Sequence, residues 1–301
     1  MKKIIILVVV SAFFSCNKID IGTPENHDYV SKTVEYKKID GIKKNLLSLD
    51  IYYDNNFTRK SPVIIYVHGG GWAIGDKTNK LSDKIEMCRD SGYILVSINY
   101  RLSPFPYEID NPDRIKFPVH PEDVADAIKY IYDNIGDYGG DRTNMLIMGH
   151  SAGAHIVSLI CTDNSYLNKV GLNAKIFKGI ISLDSAAFDV EKAINIVSTG
   201  SSYYKMYINA FGNDVKTWNI ASPAYHISKD ICDNWLVVYR GTEQRILIQK
   251  IFIEKVKSKG INIEGIYADG YSHSGVNDAV GNKEDFNLNP FIQKFITETL
   301  H

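Results

Sequence analysis

Cysteine is scarce in this chain. Its 301 residues hold four, at positions 16, 88, 161 and 232, too few and too scattered for a disulfide framework or a cysteine-rich metal site. Excess charge is lacking too. The 34 Lys and Arg against 35 Asp and Glu leave a formal net charge of −1, which removes the electrostatic footprint of a nucleic-acid binder. No H-E-x-x-H or other metal spacing occurs, and no internal repeat or low-complexity tract breaks the chain. What remains is 45% hydrophobic, 23% charged and 11% aromatic, an ordinary globular composition. It suits one large α/β domain or two small ones, and without a convincing linker one domain is the better count.

The first residues stand apart. Met1-Lys2-Lys3 is followed by an apolar run over residues 4–10 and then Ser11-Ala12-Phe13-Phe14-Ser15-Cys16. That run is too short to cross ~30 Å of hydrocarbon, so it reads as a processed export signal. A small residue before Cys16 resembles a bacterial lipoprotein signal, although Phe13 stands where Leu is usual. The resemblance implies that residues 1–16 are a signal, that Cys16 is lipidated, and that 17–30 tether a domain spanning 31–301. The expected location is the bacterial cell envelope, lipid-anchored, with the periplasm or secretion as alternatives.

Further on, the patterning alternates. Residues 33–39 and 45–53 read as a hairpin around Asp40-Gly41. The run PVIIYVH at 62–68 has the near-continuous apolarity of a strand buried on both faces, and 93–99, 144–150, 177–184 and 234–240 repeat it. A more polar strand fits 261–267. Helices fit 81–89, 121–135, 152–162, 245–259 and 290–300. In the fourth of these, Ile248, Ile251, Phe252 and Val256 make one apolar face. Strands alternating with helices imply a mostly parallel sheet with helices on both faces. Residues 102–118, with four prolines, read as a long loop, and the irregular stretch 191–222 as a small cap.

Two loops carry chemistry. Gly149-His150-Ser151-Ala152-Gly153 fits G-x-S-x-G between an apolar strand and a small-residue helix, the setting in which a sharp turn projects Ser151 Oγ from a sheet. His68-Gly69-Gly70-Gly71-Trp72 follows another strand, and its glycines can turn backbone N–H groups into a cavity. A phosphate loop is the rival reading, but neither G-x-G-x-x-G nor G-x-x-x-x-G-K-[ST] is present here. The expected oxyanion donors are the N–H groups of Gly70, Gly71 and Ala152.

HGGGW at 68–72, NYRLSP at 99–104, YGGD at 138–141 and GHSAG at 149–153 together resemble α/β-hydrolase-fold carboxylesterases. The nearest branches are the hormone-sensitive-lipase-like and kynurenine-formamidase-like ones. The resemblance covers about residues 34–300. It implies the α/β-hydrolase fold and serine–histidine–acid chemistry with no cofactor and no metal.

In that fold the chain order is Ser, acid, His. The base is expected at His273, in a loop after the last strand, because the other late histidine, His301, is terminal. His68, His150 and His155 read as structural. The acid departs from the pattern, since Gln244 occupies the position where G-x-x-D would place Asp. Glu243, one residue earlier, is the favoured substitute and Asp184 at the end of the sixth strand its rival. A Ser–His dyad, or a protein that binds acyl ligands without efficient turnover, is the third reading. Asp269 and Asp278 are also near His273 in sequence.

The expected activity is cleavage of a carboxylic ester with a short or aromatic acyl group, through an acyl-enzyme. The ester is a small molecule or is linked to a glycan. A formamidase or amidase of the same fold is the alternative. Trp72, Tyr100, Tyr203 and Tyr204 fit either a substrate pocket or the core.

Overall fold

The computed structural model describes residues 28–301. The export signal, Cys16 and most of the expected tether lie outside the described residues.

Eight strands form one sheet: β1 (Tyr29–Glu35), β2 (Ser48–Asp54), β3 (Ser61–Val67), β4 (Ile94–Ile98), β5 (Gly140–His150), β6 (Phe177–Leu183), β7 (Asn234–Tyr239) and β8 (Asn262–Tyr267). Their order is β1-β2-β4-β3-β5-β6-β7-β8. β2 pairs antiparallel with β1 and β4, and the pairs from β4 through β3, β5, β6 and β7 to β8 are parallel. This is the mostly parallel sheet expected. β1 starts at Tyr29, so the folded domain takes in the last two residues of the stretch read as tether. The opening hairpin also differs from a tight turn at Asp40-Gly41, since a 3-10 turn at Lys44–Leu47 leads into β2.

Alternation along the strands supplies two cores. In β3, Val63, Ile65 and Val67 enter one buried cluster, while Ile64 and Tyr66 enter the other. The first cluster is closed by α2 (Val119–Asn134), α3 (Ala152–Thr162) and α8 (Glu243–Lys257), through side chains such as Val124, Ile156 and Phe252. The second is closed by α1 (Ser82–Ser91), α9 (His273–Ala279) and α10 (Asn289–Leu300), through Cys88, Val276 and Ile292. A short helix, α4 (Ser165–Lys169), follows α3. The apolar face read on α8 is observed: Ile248, Phe252 and Val256 are buried and Ile251 is half-buried.

The stretch 191–222 holds three short helices, α5 (Val190–Asn195), α6 (Ser202–Phe211) and α7 (Val215–Ile220). Each has a local start signal. The side chains of Asp189, Ser201 and Asp214 accept hydrogen bonds from the backbones of Lys192, Tyr204 and Thr217. The proline-rich segment 102–118 has no helix or strand and clamps the end of α6. Arg114 Nε and Nη2 donate to the carbonyls of Asn209 (3.0 Å) and Ile208 (2.8 Å), and Phe117 N donates to Ala210 O (2.7 Å). These contacts fix the cap over the carboxyl ends of the strands, where α/β sheets bind ligands.

Candidate active site

Ser151 sits between β5 and α3 with φ +55° and ψ −114°, a backbone conformation that costs free energy in a non-glycine residue. Its neighbours make the turn feasible. A Cβ on Gly149 would lie 2.4 Å from the carbonyl of Gly153, and a Cβ on Gly153 would lie 2.1 Å from Val67 O. The glycines of the motif are thus required by contact with the backbone.

β5 and β6 are in register, with His150 opposite Leu183, and Ser151 N donates to Leu183 O at 2.9 Å. Ser151 and Asp184 therefore leave adjacent strands at the same level. Asp184 also has positive φ, +52°, and its N–H donates to Val238 O at 2.8 Å. Asn and Asp tolerate this region better than other non-glycine residues.

His273 opens α9 and bridges the two. Its Nε2 is 2.9 Å from Ser151 Oγ, and its Nδ1 is 2.6 Å from Asp184 Oδ2. A carboxylate only accepts, so Nδ1 carries the proton and Nε2 is free to accept from the serine hydroxyl. Asp184 is fully buried, and burial pushes its carboxyl pKa up. The hydrogen bond from His273 and the positive charge of Arg245 outweigh that and hold it down at about 2, so the group is an anion at neutral pH.

The carboxylate beside His273 is thus that of Asp184, the rival to the favoured Glu243. Thr242 caps α8, which makes Glu243 the first residue of that helix, exposed to solvent. An acidic residue there suits the helix dipole. Arg245, two residues on, folds back instead. Its Nη2 donates to both Oδ1 (2.7 Å) and the carbonyl (2.9 Å) of Asp184, and Nε to Arg240 O (3.2 Å). Arg240 Nη1 adds a longer contact of 3.2 Å to Asp184 Oδ2. Neither arginine stands out in the sequence, although both flank the very turn at which the spacing rule looks for an acid.

The glycine loop faces the serine. Gly70, Gly71 and Ala152 line the same cavity as Ser151 and His273, about 800 Å³ in volume. Ala152 is the first residue of α3, so its N–H has no acceptor within that helix. Gly70 and Gly71 have φ of +109° and +58°. A Cβ on Gly71 would meet Met206 Sδ of α6 at 2.5 Å, which places the cap directly against this loop. His68 Nδ1 donates to Gly69 O (2.7 Å), and its ring stacks on Tyr100, whose hydroxyl donates to His68 O (3.1 Å).

Two further histidines are neutral struts. His150 Nε2 donates to the carbonyl of His273 (2.9 Å), and burial with the adjacent His273 lowers its pKa to about 4. His155 Nδ1 accepts from Trp72 Nε1 (3.3 Å) and its Nε2 donates to Ala221 O (2.8 Å); burial lowers its pKa to about 4 as well. Of the aromatics, Trp72 and Tyr203 line the cavity, Tyr100 belongs to the core, and half-buried Tyr204 packs against that core. Tyr207, Tyr267 and Tyr271 join the lining. Among the described residues no group of three or more His, Cys, Asp or Glu side chains is arranged to hold a metal ion.

The sheet order, the serine turn and the glycine loop define a protein of the α/β-hydrolase class. The chain belongs to the BD-FAE family, whose model matches residues 49–248. It is similar to Esterase LipQ of Mycobacterium tuberculosis, 37% identical over 131 residues, covering 44% of this chain and 29% of that protein. The probable carboxylic ester hydrolase LipM of the same organism is 35% identical over 113 residues, covering 37% and 24%. In both cases the match spans less than a third of the relative's own length. A truncated carbohydrate esterase from gut microbiota shares the fold with a TM-score of 0.71 at 18% identity, covering 92% of this chain and 98% of that one. Esterase B from Lactobacillus rhamnosis does so with 0.70 at 15% identity, covering 90% and 87%.

Proposed function

We propose that this protein hydrolyses a carboxylic ester through an acyl-serine intermediate. The observation that carries the reading is the unbroken hydrogen-bonded line from Ser151 Oγ through His273 to the buried Asp184. In it, Ser151 Oγ attacks the ester carbonyl carbon while its proton passes to His273 Nε2. Asp184 holds the resulting imidazolium. The N–H groups of Gly70, Gly71 and Ala152 receive the negative charge on the former carbonyl oxygen, a contribution of ~10²–10³ in rate per donor in serine proteases. The tetrahedral adduct collapses, the alcohol leaves with the proton from His273, and water repeats the sequence to release the acid and restore Ser151.

With Asp184 beside His273, Gln244 is no longer a reason to read the protein as a non-catalytic acyl binder. Family membership and the two esterase relatives support an ester over an amide. For the acyl group, Met206 against Gly71 leaves limited room at the glycine loop, which favours a short or planar acyl chain. Tyr203 and Tyr267 are more than half and about half exposed, at 65% and 50%, on the rim of the cavity. Such ring faces suit the apolar faces of sugars, in keeping with a glycan-linked ester and with the fold shared with the gut carbohydrate esterase.

The test is 4-nitrophenyl acetate hydrolysis by the full chain in detergent, beside Ser151→Ala and with 4-nitroacetanilide as the amide control. Turnover of the ester that is lost in Ser151→Ala supports the assignment. Equal rates with and without Ser151 overturn it, and faster amide turnover moves the protein to the amidase class.

For location, we propose attachment to the bacterial envelope through a lipid on Cys16, on the strength of the N-terminal sequence alone. Radioactive palmitate fed to cells should label the wild-type chain and leave Cys16→Ser unlabelled. Equal labelling of the two would remove the proposal.

A further inference from the structure

Asp184 already has what a triad acid requires. His273 and Arg245 approach its two oxygens at 2.6 and 2.7 Å, and Arg245 also takes its carbonyl. The guanidinium of Arg245 is locked in place: three of its contacts are hydrogen bonds, and its Cδ would sit 2.4 Å from a Cβ on Gly241, so it lies flat over a glycine. Arg240 is different. Of its five donors, Nη1 makes the longer 3.2 Å contact to Asp184, on the oxygen that His273 already occupies. Its side chain retains 26% exposure against 23% for Arg245, and both line the cavity of Ser151, so the two differ in how tightly they are held.

Charge makes the same point. Among the side chains lining the cavity, Asp184 is the one carboxylate, and it faces two guanidinium groups, Arg240 and Arg245, so these fixed charges leave a positive excess. When His273 accepts the serine proton, three cations crowd a single buried carboxylate. Arg240, the least tightly held of them, is the one that a ligand anion can engage. A guanidinium presents paired N–H groups that match a carboxylate, and a half-enclosed cavity strengthens that pairing relative to bulk water.

We propose that Arg240 is a specificity residue for an anionic ester: a substrate that carries a free carboxylate on either its acyl or its alcohol part. This rests on the hydrolase reading of the same site and refines it. Neutral esters are the poorer substrates. The preference for charged ones falls as salt screens the pair.

Two matched pairs of esters test it. On the acyl side these are 4-nitrophenyl hydrogen adipate and 4-nitrophenyl hexanoate; on the alcohol side, 4-acetoxybenzoate and phenyl acetate. Arg240 contacts Asp184, so Arg240→Leu lowers turnover of all four, and the ratio within each pair is what decides. The expected result is that Arg240→Leu raises KM for the charged member of at least one pair by ~10-fold or more relative to its neutral partner. Which pair responds tells which side of the ester bears the carboxylate. Ratios unchanged in both pairs overturn the proposal and leave Arg240 as a support for Asp184. Calorimetric binding of the same charged and neutral esters to Ser151→Ala, with and without Arg240→Leu, reads the contact without turnover. Loss of charged-ester binding there upholds the arginine site even where hydrolysis itself is not seen, and its retention rejects the site.

Discussion

Arg245 Nη2 lies 2.7 Å from Oδ1 of Asp184 and 2.9 Å from its carbonyl oxygen, so one guanidinium secures both the side chain and the backbone of that residue. Asp184 has positive φ and is fully buried, and each condition alone is costly. The arginine offsets both. The carboxylate beside His273 is therefore held from the strand-seven side although it grows from strand six.

The carboxylate assignment is directly testable. Asp184→Asn should lower kcat for 4-nitrophenyl acetate by ~10³–10⁴, the scale of the corresponding change in serine proteases. Glu243→Gln should stay within about twofold, as expected for an exposed first-turn residue whose helix-dipole contribution is only ~0.3–1 kcal/mol. The reverse ranking in steady-state kinetics would return the acid role to Glu243.

Gly153 should be nearly irreplaceable. Gly153→Ala puts a methyl group 2.1 Å from Val67 O, and relief requires α3 to move off the sheet. A loss of at least ~2 kcal/mol is expected, on the scale of overpacked cores. Differential scanning calorimetry should then show a melting point lower by about 4–8 °C. An unchanged melting point would mean that the turn is looser than described.

Met206 sets room at the glycine loop through its contact position against Gly71. Met206→Ala should raise kcat/KM for 4-nitrophenyl butyrate relative to acetate by ~10-fold or more, the lower end of what one methylene in an apolar pocket is worth. If the ratio stays constant, the acyl group lies elsewhere in the cavity.

Acid should weaken the fold in two stages. The folded pKa values of His150 and His155 are lowered to about 4 by burial, below the unfolded value of ~6.5. Stability from keeping them neutral is complete above pH ~6.5 and is lost as pH falls toward 4, on the order of 2 kcal/mol for the buried His155. Asp184, held at about 2, contributes above its unfolded value of ~3.9 and loses that contribution as pH falls from about 4 to about 2. Urea unfolding at pH 7, 5 and 4 should show stability already falling by pH 5. A flat profile over that range would contradict the burial of neutral histidines.

Much of this was legible in the chain. Buried parallel strands print continuous apolar runs, so β3 through β7 could be located, and G-x-S-x-G names its own turn because the glycines are forced by backbone contacts. Chain order points to His273, and the structure brings it between Ser151 and Asp184. The carboxylate that meets His273 is not so readable, because a spacing rule tied to strand seven cannot know that Arg245 folds back across Gly241 and claims that place for a cation. The register His150 to Leu183 puts Asp184 level with Ser151, but register is a property of the assembled sheet. Two of the three cap helices escape for a different reason: α5 and α7 have six residues each, less than two turns, so no apolar period develops in them.

The backbones at Ser151 and Asp184 are each pinned by the carbonyl of the next strand, Leu183 and Val238, so both residues are tied directly to the sheet. His273 instead rides on a seven-residue helix that follows a loop. Gentle heating should therefore free His273 before Ser151 and Asp184: on the proposed mechanism, a sample that has lost turnover below its melting point would still hold an intact serine turn and recover on cooling. Inactivation that persists after cooling would coincide with collapse of the sheet itself.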